Sequence, residues 1–304
     1  MNSSCERQPT PYIMIASKNM CLQLVIFLCI VNSVTALVST TGNFLVVVTI
    51  WRTPSLHSPS FVLLSGLALS DLAVGLIAQP IFVVLNSADI YDNCDLFSVL
   101  YRVHPYLSSQ LLVVTFATVC ATAVDRFLAL KIHLRYRELV TVRRALFCLL
   151  SIWLTSTILA LWILLHHPTG VIGGITLVVV VLFITVTCYV KIFHIVRHHQ
   201  NQIANQFQVP QSCVQTSVPN IARYRKSVRS LLYIAGFFCV SNMFWVFWVI
   251  AKYLMNSNYE DEMELVMRIL VSLSYLNSCF NPFLYCWRIG EIRQAMKEQL
   301  KKMC

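Results

Sequence analysis

Charge is what this chain has least of. Asp, Glu, Lys and Arg make up 12% of its 304 residues, about half the share of a soluble domain, whereas hydrophobic residues make up 57%. That balance excludes an ordinary soluble domain and implies a polytopic membrane protein. Catalytic signatures are missing as well. There are no paired catalytic acids, no His-Glu-x-x-His spacing and no nucleophile motif, so an enzyme is not expected. The adjacent pairs His166-His167 and His198-His199 read as polar connectors in loops. No internal repeat of the kind that builds many transporters is visible. A disulfide framework is also absent: most of the twelve cysteines, such as Cys29, Cys120, Cys148, Cys188, Cys239 and Cys279, fall inside apolar runs and act as small hydrophobes. No cleavable-signal pattern opens the chain, so the first span is expected to act as its own insertion signal.

What the sequence does have is a succession of apolar runs. They cover about 20–51, 60–86, 97–130, 146–165, 171–196, 230–255 and 264–287, with a brief turn at His166–Gly170 between the fourth and fifth. The expected fold is an all-α membrane protein: a seven-transmembrane helix bundle at 20–287, an extracellular tail at 1–19 and a short amphipathic helix at 288–304. Ile289, Ile292, Met296, Leu300 and Met303 share one face of that last helix. The net charge of +10 comes from lysines and arginines in loops, not on one soluble face, so nucleic acid is not an expected partner. Arg52, the group Lys131 to Arg144, Lys191, Arg197, the cluster Arg223 to Arg229 and the tail lie on one side, which the positive-inside rule makes cytoplasmic. Asp89, Asp92, Asp95, Glu260, Asp261, Glu262 and Glu264 lie on the other.

The last run holds Asn277-Ser278-Cys279-Phe280-Asn281-Pro282-Phe283-Leu284-Tyr285. Amides and a proline-freed carbonyl are costly in lipid unless they face protein or water, so this segment implies a bundle with a polar seam. A kinked transporter helix carries the same implication. The motif followed by a basic amphipathic stretch resembles the seventh span of rhodopsin-like G-protein-coupled receptors. Leu67-Ala68-Leu69-Ser70-Asp71, Asp125-Arg126-Phe127, Asn43 and Trp153 are similar to the family's markers in the second, third, first and fourth spans.

The resemblance implies a plasma-membrane receptor that passes a signal from an extracellular ligand to a heterotrimeric G protein. It implies a sodium site at Asp71, with Thr115, Asn277, Ser278 and Asn281 as further oxygen ligands, and no other cofactor or metal. A transporter or channel using Asp71 as an ion site is the rival. Asp125, Arg126, Tyr189 and Tyr285 match the cytoplasmic switch. Ser108, Asn242, Trp245 and Tyr275 match positions around the ligand pocket. Ser108 stands where amine receptors carry an acid, and Tyr275 where opsins carry a lysine, so neither a biogenic amine nor retinal is expected. A peptide drawn by the acidic mouth and a small lipid-like molecule entering between spans both remain open.

Departures from the family pattern are informative. Tyr101 stands where the family has a cysteine, and the outer loop after the fourth span has none, so the usual disulfide cannot form. Cys5 and Cys94 are the candidate replacement pair in an oxidising compartment. Asn2-Ser3-Ser4 is a glycosylation sequon. Val181 replaces the fifth-span proline, and Ser241-Asn242-Met243-Phe244 replaces Cys-Trp-x-Pro. These losses with a very short outer loop resemble the melanocortin, cannabinoid, lysophospholipid and adenosine group. Tyr224 occupies the place of an acid that restrains the third-span arginine in many members, so high ligand-independent activity is expected.

Overall fold

The computed structural model describes residues 14–132, 135–165, 167–206, 236 and 260–303. Cys5, Asn2, Tyr224, Asn242, Trp245 and the sixth apolar run lie outside them. Every regular element among the described residues is helical. The first apolar run becomes α1 (Met14–Arg52), and a short turn at Pro54–Leu56 leads to α2 (Pro59–Ala73). A single wide π turn, Val74–Ala78, joins α2 to α3 (Gln79–Ile90). Pro80 explains that turn. Its ring cannot donate and crowds the carbonyl four residues back, so the helix widens ahead of it and Gln79 N–H bonds Val74 O instead.

After a short turn come α4 (Cys94–Ile132), the one-turn α5 (Tyr136–Leu139), α6 (Val142–Leu165) and α7 (His167–Gln206). The turn between α3 and α4 holds Asp92 at φ 53°, a left-handed conformation that aspartate tolerates. The expected turn at His166–Gly170 is therefore corrected. Helix α6 ends at Leu165 and α7 is already helical at His167, so Pro168, Thr169 and Gly170 belong to the first turn of α7. A Cβ on Gly173 would fall 2.7 Å from Trp162 Cζ3, so the glycine lets α7 fold closely back on α6.

The chain ends in α8 (Glu260–Arg288) and α9 (Gly290–Met303). Among the described residues, five stretches, Cys21–Arg52, Pro59–Ile90, Cys94–Ile132, Val142–Leu165 and Ile172–Ile195, are long and apolar enough to cross a membrane. Helix α8 is similar in length but opens on acids.

Burial follows helical periodicity. One core joins Val46 and Ile50 of α1, Leu64 and Leu67 of α2, Phe116 of α4 and Tyr285 of α8 to Ile292 and Met296 of α9. The expected amphipathic face thus buries Ile292 and Met296 under the bundle, while Leu300 stays 45% exposed. Cys286 Sγ lies 3.2 Å from Met296 Sδ and fastens the corner between α8 and α9. A Cβ on Gly42 would sit 2.9 Å from Pro282 Cγ, so the glycine lets α1 approach the proline of α8 closely.

Candidate functional site

Polar side chains have no partner in lipid, so in this fold they turn inward and hold one another in tiers. At the end of the bundle opposite Arg126, Arg268 of α8 bonds Asp89 of α3 at 2.8 Å and Glu264 at 2.7 Å. Two of the residues read as an acidic mouth are therefore neutralised from within. The i,i+4 spacing of Glu264 and Arg268 was the sequence signal for this contact.

Beneath it, Ser272 donates to Arg268 O (2.8 Å), and Asn32 of α1 donates to Ser272 Oγ (2.9 Å). Gln79 donates to Thr35 Oγ1 at 2.8 Å. Asn32 and Gln79 are both almost wholly buried.

A third tier joins the third and seventh spans. Ser108 Oγ and Tyr275 OH lie 2.6 Å apart, and His104 Nε2 is 2.8 Å from Tyr275 OH and 3.1 Å from Ser108 Oγ. The Phe82 ring packs on His104 and, edge-on, on Tyr275. Two expected pocket residues are thus brought together. His104 escaped the sequence reading, although it sits four residues before Ser108 on the same helix face.

Asp71 anchors the next tier and is 1% exposed. Asn281 Nδ2 donates to Asp71 Oδ2 at 2.6 Å, and the Ser278 hydroxyl lies beside the same carboxylate. Asp71 Oδ1 is buried with no hydrogen-bond partner among the described residues. Asn43 ties α1 to α8 by donating to Ser278 O (3.0 Å) and to Ser39 O (2.9 Å), and Ser39 donates to Asp71 O (3.0 Å). Thr115 is one step away: its hydroxyl donates to Leu111 O (2.9 Å) and lies 3.3 Å from Ser70 Oγ. Asn277 is buried nearby in sequence and has a partner of its own. An orphaned carboxylate oxygen among neutral oxygens suits a small hard cation. No group of three His, Cys, Asp or Glu able to hold a metal exists among the described residues.

At the basic end of α4, Asp125 and Arg126 are adjacent in sequence but do not pair with each other. Asp125 turns away and accepts from Ser60 Oγ at 2.5 Å and from Tyr136 OH at 2.6 Å, bridging α4 to α2 and α5. Burial and the Asp125 carboxylate push the Tyr136 phenol up to about 12, so it remains a donor. Arg126 has no carboxylate partner among the described residues, and its Nε is buried without a hydrogen bond. Tyr285 is 1% exposed with its hydroxyl likewise unpaired, within electrostatic reach of Tyr189 and Asp71. Cys94 carries a free, half-buried thiol.

An all-helical bundle with apolar walls and a tiered polar interior is an integral membrane protein whose chemistry is internal. The family model described as "7 transmembrane receptor (rhodopsin family)" matches residues 42–173 and 167–285. The chain belongs to that family, and is a class A G-protein-coupled receptor with the seven-helix fold, not a transporter. It is similar to G-protein coupled receptor 12 of Rattus norvegicus, 30% identical over 277 residues, covering 84% of this chain and 75% of that one. It is also similar to melanocortin receptor 3 of Rattus norvegicus, 25% identical over 284 residues, covering 87% and 82%. Adenosine receptor A3 of Canis lupus familiaris is 24% identical over 284 residues, covering 84% of each chain. Two names of the expected group thus recur among its relatives.

Proposed function

We propose that this receptor sits in the plasma membrane with its N-terminus outside and its C-terminus in the cytoplasm, and that it passes an extracellular signal to a heterotrimeric G protein. The observation that carries this reading is the polar seam, which runs from Arg268 at the outer mouth through Asp71 to Arg126 at the basic end. A ligand that favours one arrangement of these tiers shifts the population of the whole bundle. Arg126 and Tyr285 act as the cytoplasmic switch. Both keep a buried polar atom unpaired among the described residues, and a buried group in that condition costs about 1–3 kcal/mol until it finds a partner.

The occupant of the outer half is a peptide or a small lipid-like molecule. The lack of a loop between α6 and α7 leaves entry open, and Ser108 offers no charge for an amine.

Sodium fits the Asp71 tier. Asp71, Asn281 and Ser278 would hold it, with Thr115 and Asn277 at the margin, and the ion would supply the charge that Asp71 Oδ1 lacks. A cation bound there opposes activation if it binds the inactive arrangement more tightly.

The reading is tested in cells by recording second messengers and membrane current together, with epitope tags on both termini. Second-messenger signalling without current, with only the N-terminal tag reachable from outside, is the expected result. Current carried through Asp71 would overturn it.

A further inference from the structure

The cytoplasmic ends of α4 and α7 place two lysines on one aromatic ring. Lys131 Nζ lies 5.7 Å, and Lys191 Nζ 5.8 Å, from the centroid of Phe127. Both distances fall inside the roughly 6 Å within which a ring face attracts an ammonium group. A ring quadrupole does not neutralise two full charges. Asp125, the nearest acid along α4, is engaged by Ser60 and Tyr136, and no carboxylate pairs with either lysine among the described residues. The two ammonium groups are thus gathered at one station with their charge unspent.

Depth gives the station its meaning. Lys191 lies four residues before the end of the apolar stretch Ile172–Ile195, about 6 Å along the helix axis. It continues the row of Val180 and Ile184, which precede it by eleven and seven residues on one side of α7, and both are exposed apolar side chains. In a membrane-spanning α7, an exposed apolar row of this kind is the side suited to acyl chains. A lysine at its foot lays its stem along the hydrocarbon and lifts its ammonium into the phosphate layer.

We propose that Phe127, Lys131 and Lys191 form a docking site for a phosphoinositide of the cytoplasmic leaflet. Its headgroup phosphates rest on the two ammonium groups, and an acyl chain lies along the Val180 and Ile184 row. A headgroup bearing monoester phosphates carries more charge than phosphatidylserine and can engage both lysines at once. The site goes beyond the receptor reading and rests on the orientation proposed with it, which the tag assay tests separately.

The experiment is native mass spectrometry of the full-length receptor in detergent, titrated with short-chain phosphatidylinositol bisphosphate and, in parallel, with short-chain phosphatidylserine. The parent is expected to hold one bisphosphate lipid in preference to phosphatidylserine. Lys131→Gln with Lys191→Gln should weaken that binding about thirty-fold, the sum of two surface lysines at about 1 kcal/mol each. Replacing both by Arg should preserve it, and Phe127→Leu should weaken it by several-fold. Lys297→Gln with Lys301→Gln in α9, which removes the same charge elsewhere, should leave it unchanged. Thermal unfolding of each variant shows that it is folded.

Undiminished binding in the Lys131/Lys191 double variant overturns the proposal, as does an equal loss in the α9 control. Equal binding of the soluble inositol trisphosphate headgroup would mean that no lipid is required, and would overturn it too. If the double variant keeps the lipid but no longer activates G protein, the lysines belong to the transducer surface instead.

Discussion

Asn281 donates its amide to Asp71 Oδ2 at 2.6 Å across 210 residues of sequence, and leaves Asp71 Oδ1 buried with no partner among the described residues. The carboxylate is half satisfied, so a ligand for its second oxygen stabilises whichever arrangement presents it. Sodium is therefore expected to raise the thermal unfolding midpoint of the purified receptor relative to the same concentration of a bulky organic cation. At ten times its dissociation constant the gain is about 1.4 kcal/mol. Asp71→Asn should abolish the difference, and an equal sodium response in that variant would remove the case for the site.

Tyr136 controls where Asp125 points. Tyr136→Phe removes one of the two donors to the carboxylate and frees Asp125 to turn toward Arg126, which would then be restrained. Ligand-independent signalling at matched surface expression is expected to fall several-fold, in keeping with about 1 kcal/mol for the lost bond. The phenol's pKa is raised from 10 to about 12. The neutral, donating form is thus the one that the fold favours, and its contribution is complete below pH 10 and lost as pH rises through about 12. Signalling that depends on this bond should accordingly be flat from pH 6 to 9 in the roughly physiological range. An unchanged or raised basal signal in Tyr136→Phe would refute the assigned direction.

Gly42 has no room for a side chain. A Cβ there meets Pro282 Cγ at 2.9 Å, and the proline ring cannot swing aside. Gly42→Val should separate α1 from α8 and destabilise the receptor by about 1–3 kcal/mol. The expected readout is a lower unfolding midpoint and reduced surface expression. Gly290→Val serves as the control, since only Arg293 Nη2, at 3.9 Å, approaches its Cβ position.

Arg268 holds two acids of different exposure, Asp89 at 16% and Glu264 at 37%. Arg268→Gln should remove the Arg268 charge from both acids, of which Asp89 is the more buried, and cost about 1–3 kcal/mol. Adding Asp89→Asn should restore part of the loss, whereas adding Glu264→Gln should restore less, because water already screens that carboxylate. Thermal unfolding of the three variants ranks them, and the reverse order would show that the latch is centred on Glu264.

The seam was legible in outline because polar groups are conspicuous in apolar runs. Asp71, Asn281 and Ser278 declare themselves by the cost of placing them in lipid, and the structure brings them together. Partners that come from ordinary-looking positions were not legible. Ser60 lies 65 residues from Asp125, and His104 lies 171 residues from Tyr275; neither spacing carries a period. Asp125 and Arg126 illustrate the opposite hazard. Adjacent residues on a helix point about 100° apart, so neighbouring opposite charges need not pair. The helical start of α7 was hidden for another reason: His167, Pro168, Thr169 and Gly170 have turn composition, yet proline is well suited to the first turn of a helix, where its missing N–H has no partner to lose.

The near absence of chain between Leu165 and His167 also bears on biogenesis. Helix α6 emerging from the ribosome has almost no tether to its successor, so its outer end cannot settle across the bilayer while α7 is still being made on the other side. The two are expected to enter the lipid as one hairpin, held together by the close seat of Gly173 against Trp162.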